Sequence, residues 1–123
     1  MRILYIEDND ELRASIASLM ENEHRTIFAC ASAEEAWLLE KSQKFDMVMA
    51  DISLPGISGV DFVKKLLEED SQRNIILCSG YDLGSYPKQW GPNVYTLLKP
   101  FELEELDEVL EKIEAGILKQ DAV

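Results

Sequence analysis

The stretch that decides the fold is residues 47–59, which read MVMADISLPGISG. Its first four residues are apolar, and a short apolar run that ends in turn-forming residues indicates a buried strand. The run ends at a single carboxylate, Asp51, before Pro55 and Gly56 break the extended chain. Because ligands bind outside the carboxyl ends of parallel strands, Asp51 is a candidate functional residue. Taken alone, one aspartate at one strand end is more often a simple turn cap. The residues at the other strand ends therefore determine whether Asp51 is functional.

The composition is that of a globular chain with a strongly acidic surface. With 123 residues, of which 46% are hydrophobic and 29% charged, the chain is expected to form one domain of ordinary size over residues 1–123, without a separate output domain. Twelve basic and 24 acidic residues give a net charge of −12. This charge repels phosphate backbones and anionic lipid, so we expect no direct binding to nucleic acid or membranes.

Targeting signals and histidine or cysteine metal motifs are missing from the sequence. No basic leader with an apolar core opens the chain, and no apolar run approaches the roughly twenty residues that span a bilayer, so a cytoplasmic protein is expected. Cys30 and Cys78 each end an apolar run and are expected to be buried free thiols. His24 is the only histidine, which argues against a histidine-based metal site or catalytic triad.

Strand-like and helical patterns alternate along the chain. Strands are predicted at residues 2–6, 26–30, 46–51, 74–78 and 94–98. Helices are predicted from Glu11 to about Asn22 with Asn9 or Asp10 as N-cap, from a Ser32–Glu35 capping box to about Lys41, after Ser58, and from about Glu102. Trp37, Leu38 and Phe45 are expected to pack inward.

Residues 81–92 are expected to contain no long helix, because Gly84, Pro87, Gly91 and Pro92 interrupt the pattern. Trp90 in this segment is either a partner anchor or part of the loop packing. Parallel strands need crossover connections, so the alternating elements predict a doubly wound α/β fold. The expected architecture is a five-stranded parallel sheet of order 2-1-3-4-5 in a flavodoxin-like three-layer sandwich.

Polar groups follow the first, third, fourth and fifth predicted strands, and in such a sheet they converge on one crevice. They are Glu7, Asp8, Asp51, Ser79 and Lys99. Three carboxylates without a nearby histidine or cysteine predict an all-oxygen site for Mg²⁺ or Mn²⁺. A cation, an ammonium and a hydroxyl around one carboxylate can stabilise a transferring phosphoryl group. Asp51 is then the predicted nucleophile and forms an aspartyl phosphate.

The whole chain resembles the receiver domains of two-component response regulators, whose single-domain archetype is the chemotaxis regulator. The motifs that carry the resemblance are Glu7-Asp8, Asp51 with Pro55-Gly56 and Gly59 downstream, Ser79-Gly80, and Lys99-Pro100-Phe101. Each motif is weak by itself, whereas all of them in this order are highly specific. The resemblance implies a signalling receiver that catalyses its own phosphorylation and slow dephosphorylation, rather than an enzyme acting on other substrates.

The resemblance also implies roles for individual residues. Asp8, Asp51 and the backbone carbonyl of Ser53 would be direct metal ligands, and Glu7 would act through water. Ser79 and Lys99 would contact the phosphoryl group, and the Lys99-Pro100 bond is expected to be cis. The implied partners are a histidine kinase or histidine phosphotransferase and a downstream protein of unknown identity.

Two departures from the family pattern concern signalling. The position three residues before Lys99, where the archetype has an aromatic switch residue, is Thr96 here, with Tyr95 one place earlier. This puts the usual aromatic switch in doubt. In addition, Ser79-Gly80-Tyr81 and the interrupted segment after it are similar to a subgroup of single-domain receivers with an Ala-Thr-Gly-Tyr-like motif and an atypical fourth helix.

Other functional classes fit the sequence less well. A flavodoxin-like redox module would bind an anionic flavin phosphate where this chain has four acids, and an EF-hand needs Gly where Arg13 stands. A haloacid-dehalogenase-type phosphatase needs a second acid at Ser53. The main alternative is a pseudo-receiver that scaffolds a partner without phosphorylation, and the intact Asp51 and Lys99 argue against it.

Overall fold

The computed structural model describes residues 1–121 and shows five strands and four α-helices. The strands are β1 (Arg2–Ile6), β2 (Thr26–Cys30), β3 (Met47–Asp51), β4 (Asn74–Ser79) and β5 (Val94–Leu98). The helices are α1 (Asp10–Met20), α2 (Ala33–Ser42), α3 (Gly59–Glu69) and α4 (Leu103–Asp121), with a short 3₁₀ helix at Tyr86–Gln89. All strand pairs are parallel in the order β2-β1-β3-β4-β5, which confirms the predicted fold and strand order.

The sheet forms the middle of three layers and buries both of its faces. Alternate residues of β1 point to opposite faces, so Leu4 and Ile6 pack under α2 and α3, while Ile3 and Tyr5 pack under α1 and α4. A parallel sheet covered on both faces explains why the central strands are almost entirely apolar. None of the helices within residues 1–121 combines the length and the hydropathy that a membrane span requires.

Side-chain caps fix the starts of three helices. The Asn9 carboxamide accepts a hydrogen bond from the Leu12 amide at 2.9 Å, so Asn9 rather than Asp10 is the N-cap of α1. The Ser58 hydroxyl caps α3 as predicted, by accepting from the Asp61 amide. These caps determine how each helix leaves the carboxyl end of its strand.

Two local predictions for α2 were wrong. The Ser32 hydroxyl does accept from the Glu35 amide, but the Glu35 carboxylate accepts from the amide of Ala31 at 2.8 Å and not from that of Ser32. Leu38 is 69% exposed, whereas Trp37 packs edge-on against Phe62. Leu38 and Trp37 are adjacent on the helix, about 100° apart, and only one of these two positions faces the sheet.

Residues 81–92 cover part of the sheet without forming an α-helix, as predicted. Pro87 is buried, and Leu83 and Trp90 pack against the core on the α2 and α3 side. The Trp90 ring also lies 5.5 Å from the Tyr86 ring and 4.8 Å from the Lys64 ammonium. Trp90 therefore serves the packing of this segment.

The two cysteines are buried free thiols, as predicted. Burial raises the pKa of Cys78 to about 12 and that of Cys30 to about 11. The same thiols ionise at lower pH in the unfolded chain. Burial of the protonated thiols therefore contributes fully to stability below about pH 8.5, and this contribution is lost as the pH rises through the folded pKa values.

We therefore expect the free energy of unfolding to fall as the pH rises above about pH 9. We also expect iodoacetamide at about pH 8 to label both thiols slowly in the native protein and rapidly in urea. Urea titrations across the alkaline range and mass spectrometry after timed alkylation measure the two effects. Native thiols that react at the unfolded rate would contradict the described burial.

Candidate functional site

Asp51 ends β3 at the carboxyl edge of the sheet and is only 7% exposed. Its Oδ2 atom accepts a hydrogen bond from the Lys99 ammonium at 2.7 Å, and its Oδ1 atom accepts one from the Ser53 amide at 3.1 Å. Both carboxylate oxygens are thus oriented by donors that come from separate parts of the chain. A buried carboxylate is stable in this position because a charged partner and a backbone amide satisfy it.

Glu7 and Asp8 follow β1, which lies next to β3 in the sheet. Glu7 is 2% exposed, and its carboxylate accepts hydrogen bonds from Lys99 at 2.8 Å and from the Asn9 amide at 3.1 Å. Asp8 is exposed. One oxygen from each of Glu7, Asp8 and Asp51 lies within 4.8 Å of the others, so the predicted acid cluster is present.

Lys99 follows β5 and joins the two buried acids through its ammonium group. Burial lowers the pKa of Lys99, but the hydrogen bonds and charges of Asp51 and Glu7 outweigh this effect, so that its pKa is raised overall. Lys99 therefore stays protonated at neutral pH. The Lys99-Pro100 peptide bond is cis, as the family resemblance implied.

Ser79 ends β4, next to β3, and is buried at the base of residues 81–92. Its hydroxyl donates a hydrogen bond to the Tyr81 carbonyl at 2.7 Å and accepts one from the Tyr81 amide at 3.1 Å. The hydroxyl is therefore bonded to the segment that follows β4 and not to Asp51. On β5, Tyr95 packs on the α1 and α4 side of the sheet, whereas Thr96 is exposed.

Two residues to which the sequence analysis gave no role in the site support it. Arg13 in the first turns of α1 donates to the Glu7 carbonyl at 2.8 Å and pairs with Asp10 at 2.6 Å. Its spacing of three residues from Asp10 on a helix was the available signal. Gly59, named only as a family motif residue, packs so tightly on the end of β3 that an added Cβ would lie 2.0 Å from the Asp51 carbonyl oxygen.

The donor set of this cluster suits a hard divalent cation. Its side-chain donors are the carboxylate oxygens of Glu7, Asp8 and Asp51, and among the described residues no histidine or cysteine belongs to the cluster. Three carboxylates with one ammonium also carry a net negative charge that a divalent cation can balance. The residues present therefore fit Mg²⁺ or Mn²⁺.

Sequence comparison connects this geometry with a known family. The family model described as response regulator receiver domain matches residues 3–111. The positive alginate biosynthesis regulatory protein of Pseudomonas aeruginosa is 31% identical over 115 residues, which cover 91% of this chain and 46% of that protein. The chain thus spans about half the length of this relative. The sporulation initiation phosphotransferase F of Bacillus subtilis is 23% identical, with 90% of this chain and 91% of that protein covered.

Solved structures of other proteins share the fold. The response regulator protein TrrA of Thermotoga maritima, in complex with Mg²⁺ and BeF, has a TM-score of 0.77 at 28% identity, covering 91% of this chain and 97% of that one. The chemotaxis response regulator CheY4 of Vibrio cholerae has a TM-score of 0.78 with the same coverage of both chains, and at 21% identity it shows likeness of fold alone. The chain belongs to the response regulator receiver domain family.

Proposed function

We propose that this receiver domain accepts a phosphoryl group on Asp51 from a phosphohistidine donor. The observation that carries the proposal is the convergence of Asp51 with Lys99, Glu7 and Asp8 at the carboxyl edge of the sheet. The Asp51 carboxylate is the nucleophile, and Lys99 supplies positive charge where negative charge develops during transfer. Ser79, on the neighbouring strand, offers a hydroxyl that can rotate towards the phosphoryl oxygens.

A divalent cation is proposed to bind the carboxylates of Glu7, Asp8 and Asp51 and the Ser53 carbonyl. When bound, Mg²⁺ would neutralise phosphoryl oxygens and so lower the barrier to attack by an anionic carboxylate. Among the relatives, TrrA is described in complex with Mg²⁺ and BeF, and this supports the choice of metal.

A histidine kinase or histidine phosphotransferase is the proposed donor, and the cytoplasm is the proposed location of the domain. The relative named sporulation initiation phosphotransferase F supports a role in phosphoryl transfer. The proposed output is recognition of the phosphorylated domain by a further protein, with no catalysis on other substrates.

The proposed function predicts metal-dependent labelling of the protein. Incubation with Mg²⁺ and a small phosphodonor should add one phosphoryl group, because the proposed acceptor is the single residue Asp51, which contacts both the Lys99 ammonium and the Ser53 amide. Intact-mass spectrometry measures the addition, and EDTA provides the control. An unlabelled protein, or labelling that persists in EDTA, would contradict the proposal, and the first outcome would favour a scaffolding pseudo-receiver.

The proposed output predicts a local response in residues 81–93. A phosphoryl group on Asp51 would give the Ser79 hydroxyl a charged acceptor in place of the Tyr81 carbonyl, which changes the base of this segment. We expect hydrogen exchange to slow in residues 81–93 when beryllofluoride is added, with smaller changes in α1. Uniform protection, or none in this segment, would place the signalling surface elsewhere.

A further inference from the structure

The Lys99 ammonium contacts two buried carboxylates that the proposed divalent cation would also bind. Its Nζ atom lies 2.7 Å from Asp51 Oδ2 and 2.8 Å from Glu7 Oε1. Both acids are nearly inaccessible to solvent, so the charges interact with little screening by water. Lys99 is therefore the principal positive partner of Glu7 and Asp51.

The remaining oxygens of these carboxylates are also engaged. The Asn9 amide donates to Glu7 Oε2, and the Ser53 amide donates to Asp51 Oδ1. Backbone amides are neutral donors and oppose a nearby cation far less than an ammonium does. Among the described residues, Lys99 supplies the full positive charge that contacts the Glu7 and Asp51 carboxylates directly, whereas Arg13 contacts Glu7 at its backbone carbonyl. A divalent cation entering the cluster has to compete with the Lys99 charge.

We propose that Lys99 acts as a built-in competitor for the divalent cation and sets the affinity of the acid cluster for Mg²⁺. This inference rests on the proposed function, because it assumes a cation at Glu7, Asp8 and Asp51. With Lys99 in contact, the three carboxylates and the ammonium carry a net charge of about −2, and without it about −3. The competing charge weakens the binding of Mg²⁺ and leaves the exposed Asp8 as the most readily available ligand.

The competition links the metal to the chemistry at Asp51. Any group that draws the Lys99 ammonium away from Glu7 and Asp51 strengthens the binding of the divalent cation. By thermodynamic linkage, the bound cation favours the release of the ammonium from these carboxylates by the same free energy. A phosphoryl group on Asp51 is such a group, because it offers Lys99 new anionic oxygens. The domain then binds Mg²⁺ more tightly after phosphorylation than before it.

The test is a calorimetric titration of chelator-treated protein with Mg²⁺ alone. Lys99→Met should lower the Kd by about tenfold or more, since it removes the contacting charge. Lys99→Arg keeps the charge and should stay within about threefold of the parent. Lys44→Met is the matched control, because Lys44 is exposed near the opposite end of β3 and its loss should change the Kd by less than about twofold.

Circular dichroism and urea unfolding check that each variant is folded, and Lys99→Gln provides a second neutral variant with a shorter polar side chain. An unchanged or higher Kd in the folded neutral variants would overturn the inference. A parent protein that binds no Mg²⁺ would instead refute the metal site of the proposed function, so the two failures are distinguishable. Tighter binding in Lys44→Met of the same size as in Lys99→Met would also overturn the inference, because it would reduce the effect to net charge.

Discussion

Asp51→Asn is expected to abolish phosphorylation by a small phosphodonor in the presence of Mg²⁺. The asparagine amide is not a nucleophile at neutral pH, and no second carboxylate of the site has the same contacts with Lys99 and Ser53. The fold should survive, because the amide oxygen of asparagine can still accept the hydrogen bond from the Ser53 amide. Intact-mass spectrometry of both proteins under identical conditions measures the effect.

Asp61→Asn is the matched control for this experiment. Asp61 is an exposed aspartate in the first turn of α3, so the same chemical change occurs outside the acid cluster. The control should be labelled at the rate of the parent. If Asp51→Asn is labelled like the parent, the acceptor is another residue and the assignment of Asp51 fails.

Gly59→Ala is expected to destabilise the protein by about 3 kcal/mol or more, a large fraction of the stability of a typical domain. The new Cβ would lie 2.0 Å from the Asp51 carbonyl oxygen and 2.9 Å from the Ile52 Cα, and both atoms belong to the backbone. Backbone atoms cannot rotate aside like a side chain, so α3 has to move away from the end of β3. The displacement should also slow phosphorylation, since β3 carries Asp51.

Gly116→Ala is the control for the glycine experiment. Gly116 lies within α4, and nothing lies within 4 Å of the position of an added Cβ. Alanine has the higher helix propensity, so this variant should be more stable than the parent by about 0.5–1 kcal/mol. Urea or thermal unfolding of the two variants measures both effects. Equal stability of Gly59→Ala and the parent would show that α3 is not fixed against β3 as described.

The sheet could be predicted from the sequence because its signals are local. Each strand is a short apolar run, and polar residues follow the first, third, fourth and fifth runs. The helical segments between the runs supply the crossover connections that parallel pairing requires. The carboxyl ends of such strands lie at one edge, which is why Glu7, Asp51 and Lys99 were correctly expected to meet.

The details of the site were not predictable because they depend on three-dimensional packing. The sequence does not show that Lys99 would pair with Glu7 as well as Asp51, since these residues are 92 positions apart. It also does not show that the Ser79 hydroxyl bonds to the backbone of Tyr81, because a hydroxyl can rotate to any nearby partner. Leu38 fitted a helical pattern, but the exact rotation of α2 on the sheet decided its exposure.

The position of β5 at the edge of the sheet has a consequence for how the domain opens. Glu7 and Asp51 follow the interior strands β1 and β3, whereas Lys99 follows the edge strand. Edge elements usually detach at lower free energy than interior ones. Detachment of β5 here would also remove the Lys99 ammonium from the two buried carboxylates, and leaving these charges unpaired is strongly unfavourable. The ion pairs therefore join β5 to β1 and to β3. They make unfolding of the sheet more cooperative than its backbone hydrogen bonds alone would.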